Sequence, residues 1–102
     1  MADARPEGAI RVDLWLWHAR LCKTRALAAR LAQSGRIRVN GEPTAKAHRQ
    51  LRPGDVLTFP LHGQIRVLRV LAPGTRRGPA PEARALYDDL DPPAASPPPE
   101  TG

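Results

Sequence analysis

The sequence predicts an α+β domain: a two-helix unit packed on a small antiparallel sheet, then a short C-terminal helix and a disordered tail. Three observations carry this expectation. Two segments with a 3.6-residue apolar period follow one another between Val12 and Ala32. The period then drops to 2 in "GRIRVNG", residues 35–41. Hairpin and turn signals punctuate the chain from there to Leu71. Helices first and strands afterwards is the order of an α+β domain.

In the first helical segment, Val12, Trp15, Leu16 and Ala19 fall at i, i+3, i+4 and i+7, one face of a helix. Thr24 then stands as an N-cap for a second helix, on which Leu27, Ala28, Leu31 and Ala32 repeat the spacing. Gly35 fits the left-handed stop at its end. The alanines leave room for the two helices to pack closely. In the next strand Ile37 and Val39 face one way, and Arg36 and Arg38 the other. Asn40-Gly41 is a hairpin signal, and Pro43 suits an edge strand because it has no N–H to donate. "RPGD", Arg52 to Asp55, marks a turn before a strand "VLTF" at residues 56–59. "HG" turns the chain into the strand "QIRVLRVL" at residues 64–71, with Ile65 and Val67 on one face and Leu68 and Val70 on the other. Residues 80–90 suit a terminal helix with Pro81 in its first turn and Ala83, Leu86, Tyr87 and Leu90 as its apolar stripe. The expected organisation is a flexible N-terminus at 1–9, a domain at 10–72, a linker and short helix at 73–90, and a Pro-rich disordered tail at 91–102.

The chain has 102 residues and a net charge of +6. One small domain fits that length, with no room for a catalytic domain around a cofactor. The charge is uneven. Between Ile10 and Arg77 stand 14 basic residues and 3 acidic ones (Asp13, Glu42 and Asp55), a net of +11. A basic body with acidic ends is the footprint of a polyanion binder, and its arginine excess suits phosphates. The single cysteine, Cys22, excludes an intrachain disulfide and a multi-cysteine zinc site, and points to a reducing compartment. Cys22 has Lys23 beside it, which favours the thiolate, but no His and carboxylate pattern surrounds it, so it reads as a structural thiol. His18, His48 and His62 lack metal-ligand spacing, and no phosphate-cradling glycine loop is present. Asp13 charges or caps the first helix, and Asp55 belongs to a turn. No apolar run approaches the length of a membrane span, and the first ten residues hold no apolar signal region. The expectation is a cytoplasmic, non-enzymatic protein without cofactor or metal.

"RVDLWLW", "KTRALAARLAQSGRIRVNG" and "RPGDVLTF", in this order, resemble the alpha-L RNA-binding module of the ribosomal protein S-four type over roughly residues 10 to 72. The tryptophan pair in "DLWLWHARLCKTR" and the downstream "RRGPAPEARALYDD" resemble, more narrowly, the bacterial fifteen-kilodalton heat-shock protein family. That resemblance implies binding to the free large ribosomal subunit still carrying peptidyl-tRNA, and help in recycling it after failed translation. The implied partners are large-subunit RNA, peptidyl-tRNA and, more weakly, DNA, bound by a monomer with no membrane involved. Leu14 departs from the family, whose members often have a lysine after this aspartate.

Carried onto matching positions, the family's RNA surface falls on Arg11, Lys23, Thr24, Arg25, Arg36, Arg38 and Asn40, with Lys46 and Arg49 further out. The physics agrees. A helix N-terminus at Thr24-Arg25 offers free N–H groups and a positive dipole to a phosphate. Arg36 and Arg38 on one strand face stand about 7 Å apart, near the spacing of successive phosphates. Such a surface reads A-form shape and phosphate more than sequence. Trp15 reads as core. Trp17 faces elsewhere and has two readings, an exposed stacking residue or one buried against the C-terminal helix with Tyr87. Arg76 to Gly78 is either a solvated linker or an extension of the RNA track. Two other functions fit the same basic surface: a general RNA or DNA binder, and the RNA-targeting subunit of a modifying enzyme acting in trans.

Overall fold

The computed structural model describes residues 8–90. The expected tail at 91–102 and the first seven residues of the expected flexible N-terminus lie outside the described residues. A two-residue strand β1 (Ile10–Arg11) leads directly into α1 (Val12–His18). Val12, Trp15, Leu16 and Ala19 are all buried, as their spacing predicts. Arg20, in the left-handed region at φ 61°, ends the helix, and the Leu21 N–H returns to the Leu16 carbonyl at 3.0 Å.

Helix α2 (Arg25–Gln33) starts where Thr24 caps it: the Thr24 hydroxyl accepts the Leu27 N–H at 3.1 Å. Gly35 at φ 82° follows its end. Ala28 and Ala32 are fully buried in the core cluster, and their small side chains let α2 come close to α1. Leu27 departs from its expected core position and is 44% exposed. It lies about 100° round the helix from Ala28, so packing through the alanines leaves it at the margin.

Five strands form one antiparallel sheet in the order β3-β2-β5-β6-β7. The period-2 segment is β2 (Ile37–Val39), with Ile37 and Val39 buried and Arg38 exposed between them. Asn40 (φ 52°) and Gly41 (φ 87°) turn it into β3 (Glu42–Thr44), the paired positive φ values of a hairpin whose twist matches its strands. Pro43 sits on that edge strand, where its missing N–H breaks no inner ladder. β4 (Gln50–Leu51) pairs with β1 in a separate two-stranded ribbon that the sequence did not predict. β5 (Val56–Leu61) and β6 (Gln64–Val70) form the longest pairing, joined by His62-Gly63. Leu57, Phe59, Leu68 and Val70 close the core with Ile37 and Val39.

The C-terminal segment corrects the predicted helix. α3 (Ala80–Arg84) ends at Arg84, and Tyr87–Asp89 form β7 along the free edge of β6. The stripe Ala83, Leu86, Tyr87 and Leu90 fits a helix in spacing, but the unpaired groups of β6 offer a ladder instead. Tyr87 stands opposite Val70, and the Leu86 carbonyl accepts the Leu71 N–H at 2.8 Å. Tyr87 meets Trp15 edge-on, with ring centroids 6.3 Å apart, so its aromatic partner is not Trp17. Trp17 is half-buried against the core, beside His18. The segment after β6 is strapped to α1. Trp15 Nε1–H donates to the Ala72 carbonyl (3.0 Å), His18 Nδ1–H to Pro73 (3.2 Å) and Arg20 Nε–H to Gly78 (2.6 Å).

Candidate nucleic-acid interface

Carboxylates decide which cations stay available. Among the described residues, four ion pairs form: Arg11–Asp13, Arg66–Asp89, Arg69–Asp88 and Arg76–Glu82. Two of them lie on the β6–β7 pair, at the opposite edge of the sheet from β3. The acidic C-terminal segment, which in sequence lies beyond the basic body, folds back and neutralises one side of it. Arg76 meets Glu82 through two hydrogen bonds of 3.1 and 2.8 Å, which lower the Glu82 carboxyl and raise the Arg76 guanidinium from their ordinary pKa values. Arg76 is therefore paired rather than a free point on an RNA track.

Lys23, Arg25, Arg36, Arg38, Lys46 and Arg49 have no carboxylate within salt-bridge distance among the described residues. Lys23, Thr24 and Arg25 are exposed around the N-terminus of α2, where N–H groups and the helix dipole favour an anion. Arg36 and Arg38 are exposed across the turn at the other end of α2; the Ser34 hydroxyl accepts the Arg36 N–H at 3.2 Å and fixes that turn. Lys46 and Arg49 belong to the loop that leaves β3 and crosses to the start of α1. There the Arg49 carbonyl accepts the Val12 N–H at 2.8 Å and the Ala47 carbonyl accepts the Asp13 N–H at 3.3 Å. The loop satisfies N–H groups of the first turn of α1, which has no side-chain cap.

Two of the predicted residues are engaged inside the protein. Arg11 holds Asp13 through two hydrogen bonds, Nε at 3.0 Å and a terminal nitrogen at 2.9 Å, because buried Asp13 needs a cation. Asp13 also accepts the Leu14 N–H at 2.8 Å, so it charges the first turn of α1. Asn40 braces the hairpin: its amide donates to Asp55 (3.1 Å) and accepts the Val56 N–H (2.9 Å). Its amide is thus engaged within the hairpin, on an otherwise exposed residue. Leu14 is half-buried against the core, so its departure from lysine removes a charge without opening an apolar patch. Burial pushes the Cys22 thiol up from its ordinary pKa, against the direction Lys23 alone would give. Sequence reading passes over Arg30, exposed in the last turn of α2 without a carboxylate partner. Its spacing from Leu27 was the available signal, since the two share one flank of the helix. Among the described residues no group of His, Cys, Asp and Glu is arranged to hold a metal, and no helix is long and apolar enough to cross a membrane.

The arrangement of helix pair, hairpin and strand is matched by known proteins. The S4 domain family model fits residues 10–57. The fold also superposes on a solved trimeric structure of heat shock protein 15 from Vibrio cholerae with a TM-score of 0.75 and 32% sequence identity, covering 80% of this chain and 82% of that one. The chain belongs to the heat shock protein 15 family. A heat shock protein 15 homolog of Haemophilus influenzae is 32% identical over 85 residues, which are 83% of this chain and 64% of the relative. The RQC P-site tRNA stabilizing factor of Bacillus subtilis is 47% identical over 49 residues, 48% of this chain and 56% of the relative. The chain thus spans under two thirds of the length of these curated relatives. In this chain the acids of the C-terminal segment are paired, and the cations of the α2–β2 surface stay open.

Proposed function

We propose that the chain is a non-enzymatic RNA-binding protein that docks on the free large ribosomal subunit carrying peptidyl-tRNA and assists its recycling after stalled translation, including in heat stress. The observation that carries this reading is the open cationic surface from Lys23-Thr24-Arg25 to Arg36 and Arg38, in a molecule where Asp13, Glu82, Asp88 and Asp89 are paired with other arginines. The relatives, a heat shock protein 15 homolog and an RQC P-site tRNA stabilizing factor, support the ribosomal choice of partner. Phosphates of an A-form helix meet Arg36, just before β2, and Arg38 on its outer face, while the N-terminus of α2 takes a further phosphate. Lys46 and Arg49 extend the contact beyond the hairpin. No reacting group is required, because binding alone holds the particle in a state that release or rescue factors recognise. Binding as a monomer is part of the reading, and sedimentation equilibrium distinguishes it from a trimer like that of the Vibrio relative.

Gradient sedimentation of the tagged protein from stressed cells tests it. The expected result is enrichment with free large subunits that carry peptidyl-tRNA. An even spread over free protein, large subunits and whole ribosomes would sink the ribosomal claim, and equal affinity for duplex DNA and ribosomal RNA would favour a general nucleic-acid binder.

A further inference from the structure

The exposed flank of α2 is apolar where the rest of the candidate interface is charged. Leu27 and Leu31 line two adjoining clefts. One, of about 410 Å³, opens between α2 and the tip of the β5–β6 hairpin, with Lys23 and His62 at its rim. The other, of about 320 Å³, runs along α2 past Arg30 to Arg36. No carboxylate lines either cleft, and Lys23, Arg30 and Arg36 have no salt-bridge partner among the described residues. An apolar ridge rimmed by polar groups marks a binding groove, and three free cations select an anionic occupant.

We propose that this leucine ridge seats one unpaired nucleotide of the bound RNA, its base against Leu27 and Leu31, with Lys23, Arg30 and Arg36 as the cations facing the RNA backbone that runs on either side of it. The inference rests on the RNA-binding reading above and adds a structural requirement to it. A base inside a duplex is covered on both faces by its neighbours and offers only its edges. An extruded base exposes an apolar face that aliphatic side chains can cover, while its phosphates remain charged. The two leucines offer the apolar face over one turn of helix, and the cations lie toward both ends of α2. Trp15 is buried in the core and Tyr87 packs against it, so neither is available as a stacking platform at this site. The preferred RNA is therefore a helix interrupted by a bulge or flanked by a single strand, rather than a continuous duplex.

Fluorescence anisotropy with the full chain tests this, using a perfect RNA duplex and the same duplex with one bulged nucleotide. The expected result is a preference of about fivefold for the bulged duplex, matching the low end of what stacking one base on an aromatic side chain supplies. Leu27→Ser removes that preference while keeping affinity for the perfect duplex, and Arg30→Ala weakens the bulged complex more than the perfect one. Both positions are exposed, and thermal melts of the two variants confirm the fold. Equal wild-type affinity for the two duplexes, or a preference that survives Leu27→Ser, overturns the inference. So does a chain lacking residues 91–102 whose affinity rises equally for both RNAs while its Leu27 and Leu31 amide resonances shift, because the ridge then belongs to the chain's own tail. Failure to bind either duplex is a different result: it overturns the RNA-binding reading itself.

Discussion

Arg66 on β6 donates to the Asp89 carboxylate on β7 at 2.8 Å, tying the C-terminal strand to the sheet by charge as well as by ladder. Arg69 and Asp88 stand near each other on the same strand pair, at 3.9 Å. The excess positive charge of the body is therefore not spread evenly over it. One edge of the sheet is neutralised by acids from the end of the chain, and the helix and hairpin at the other side keep theirs. A polyanion approaching the molecule meets a field with a direction.

The Arg66–Asp89 pair predicts a measurable stability difference. Its side chains are only 15% and 25% exposed, and Arg66 Nε and Asp89 Oδ1 are buried without partners of their own. Removing one charge strands the other in a place that water reaches poorly. Asp89→Asn should cost about 1.5–3 kcal/mol in urea unfolding, the usual range for a hydrogen bond to a charged group. Replacing both, Arg66→Leu with Asp89→Leu, should recover most of that loss, because a poorly solvated pair gains little over apolar packing. A cost near zero for Asp89→Asn would mean the pair is screened like a surface one.

The open cations predict a salt signature. Arg36→Ala with Arg38→Ala should reduce the log–log salt slope of RNA binding by about 1 to 2 if both meet phosphate. Arg69→Ala, on the neutralised edge, should leave the slope unchanged. Titrations at several salt concentrations separate the two outcomes, and equal slopes for all three proteins would move Arg36 and Arg38 off the RNA face.

The core and the hairpin were readable because local chemistry and tertiary contact agree there. Val12, Trp15, Leu16 and Ala19 are spaced for a buried face and are buried; Thr24 is a capping residue and caps. Asn40-Gly41 is a hairpin pair and turns one. What escaped depended on partners far along the chain. Tyr87 fits a helical stripe, but it is captured by the free edge of β6, which no local period reveals. The two-residue pairing of Ile10 with Leu51 is too short to carry a pattern. Arg11 and Asn40 look like RNA contacts by residue type and position, and only the structure shows Asp13 and Asp55 holding them. Leu27 fits the apolar period of α2, and only the packing of Ala28 and Ala32 shows it at the margin.

Asn40 is predicted to act through the hairpin rather than on RNA. Its side chain spans β2 and β5 through Asp55 and the Val56 N–H, and its own backbone is left-handed. Asn40→Ala removes the brace and places an ordinary residue at φ 52°, so it should destabilise by about 1–3 kcal/mol. Asn40→Gly keeps the turn and should cost less. The salt slope of RNA binding should be the same for both as for the parent chain, measured where they are fully folded. A reduced slope in folded Asn40→Gly would instead give Asn40 a direct part in phosphate contact.

Cys22 should be slow to react despite the neighbouring lysine. It is 7% exposed, and burial raises its thiol above the ordinary range. Alkylation by iodoacetamide at neutral pH should be well below that of a free thiol and should accelerate only in more alkaline solution, as mass spectrometry over a pH series reads directly. The stability consequence has a definite sign. The folded chain holds this proton more tightly than the unfolded one, so the contribution is complete below the unfolded thiol pKa. It is lost as pH rises through the raised native value. Cys22→Ala should abolish that alkaline loss. Rapid alkylation of the folded protein at neutral pH would show that the thiol is neither covered nor held protonated, and that Lys23 rather than burial sets its chemistry.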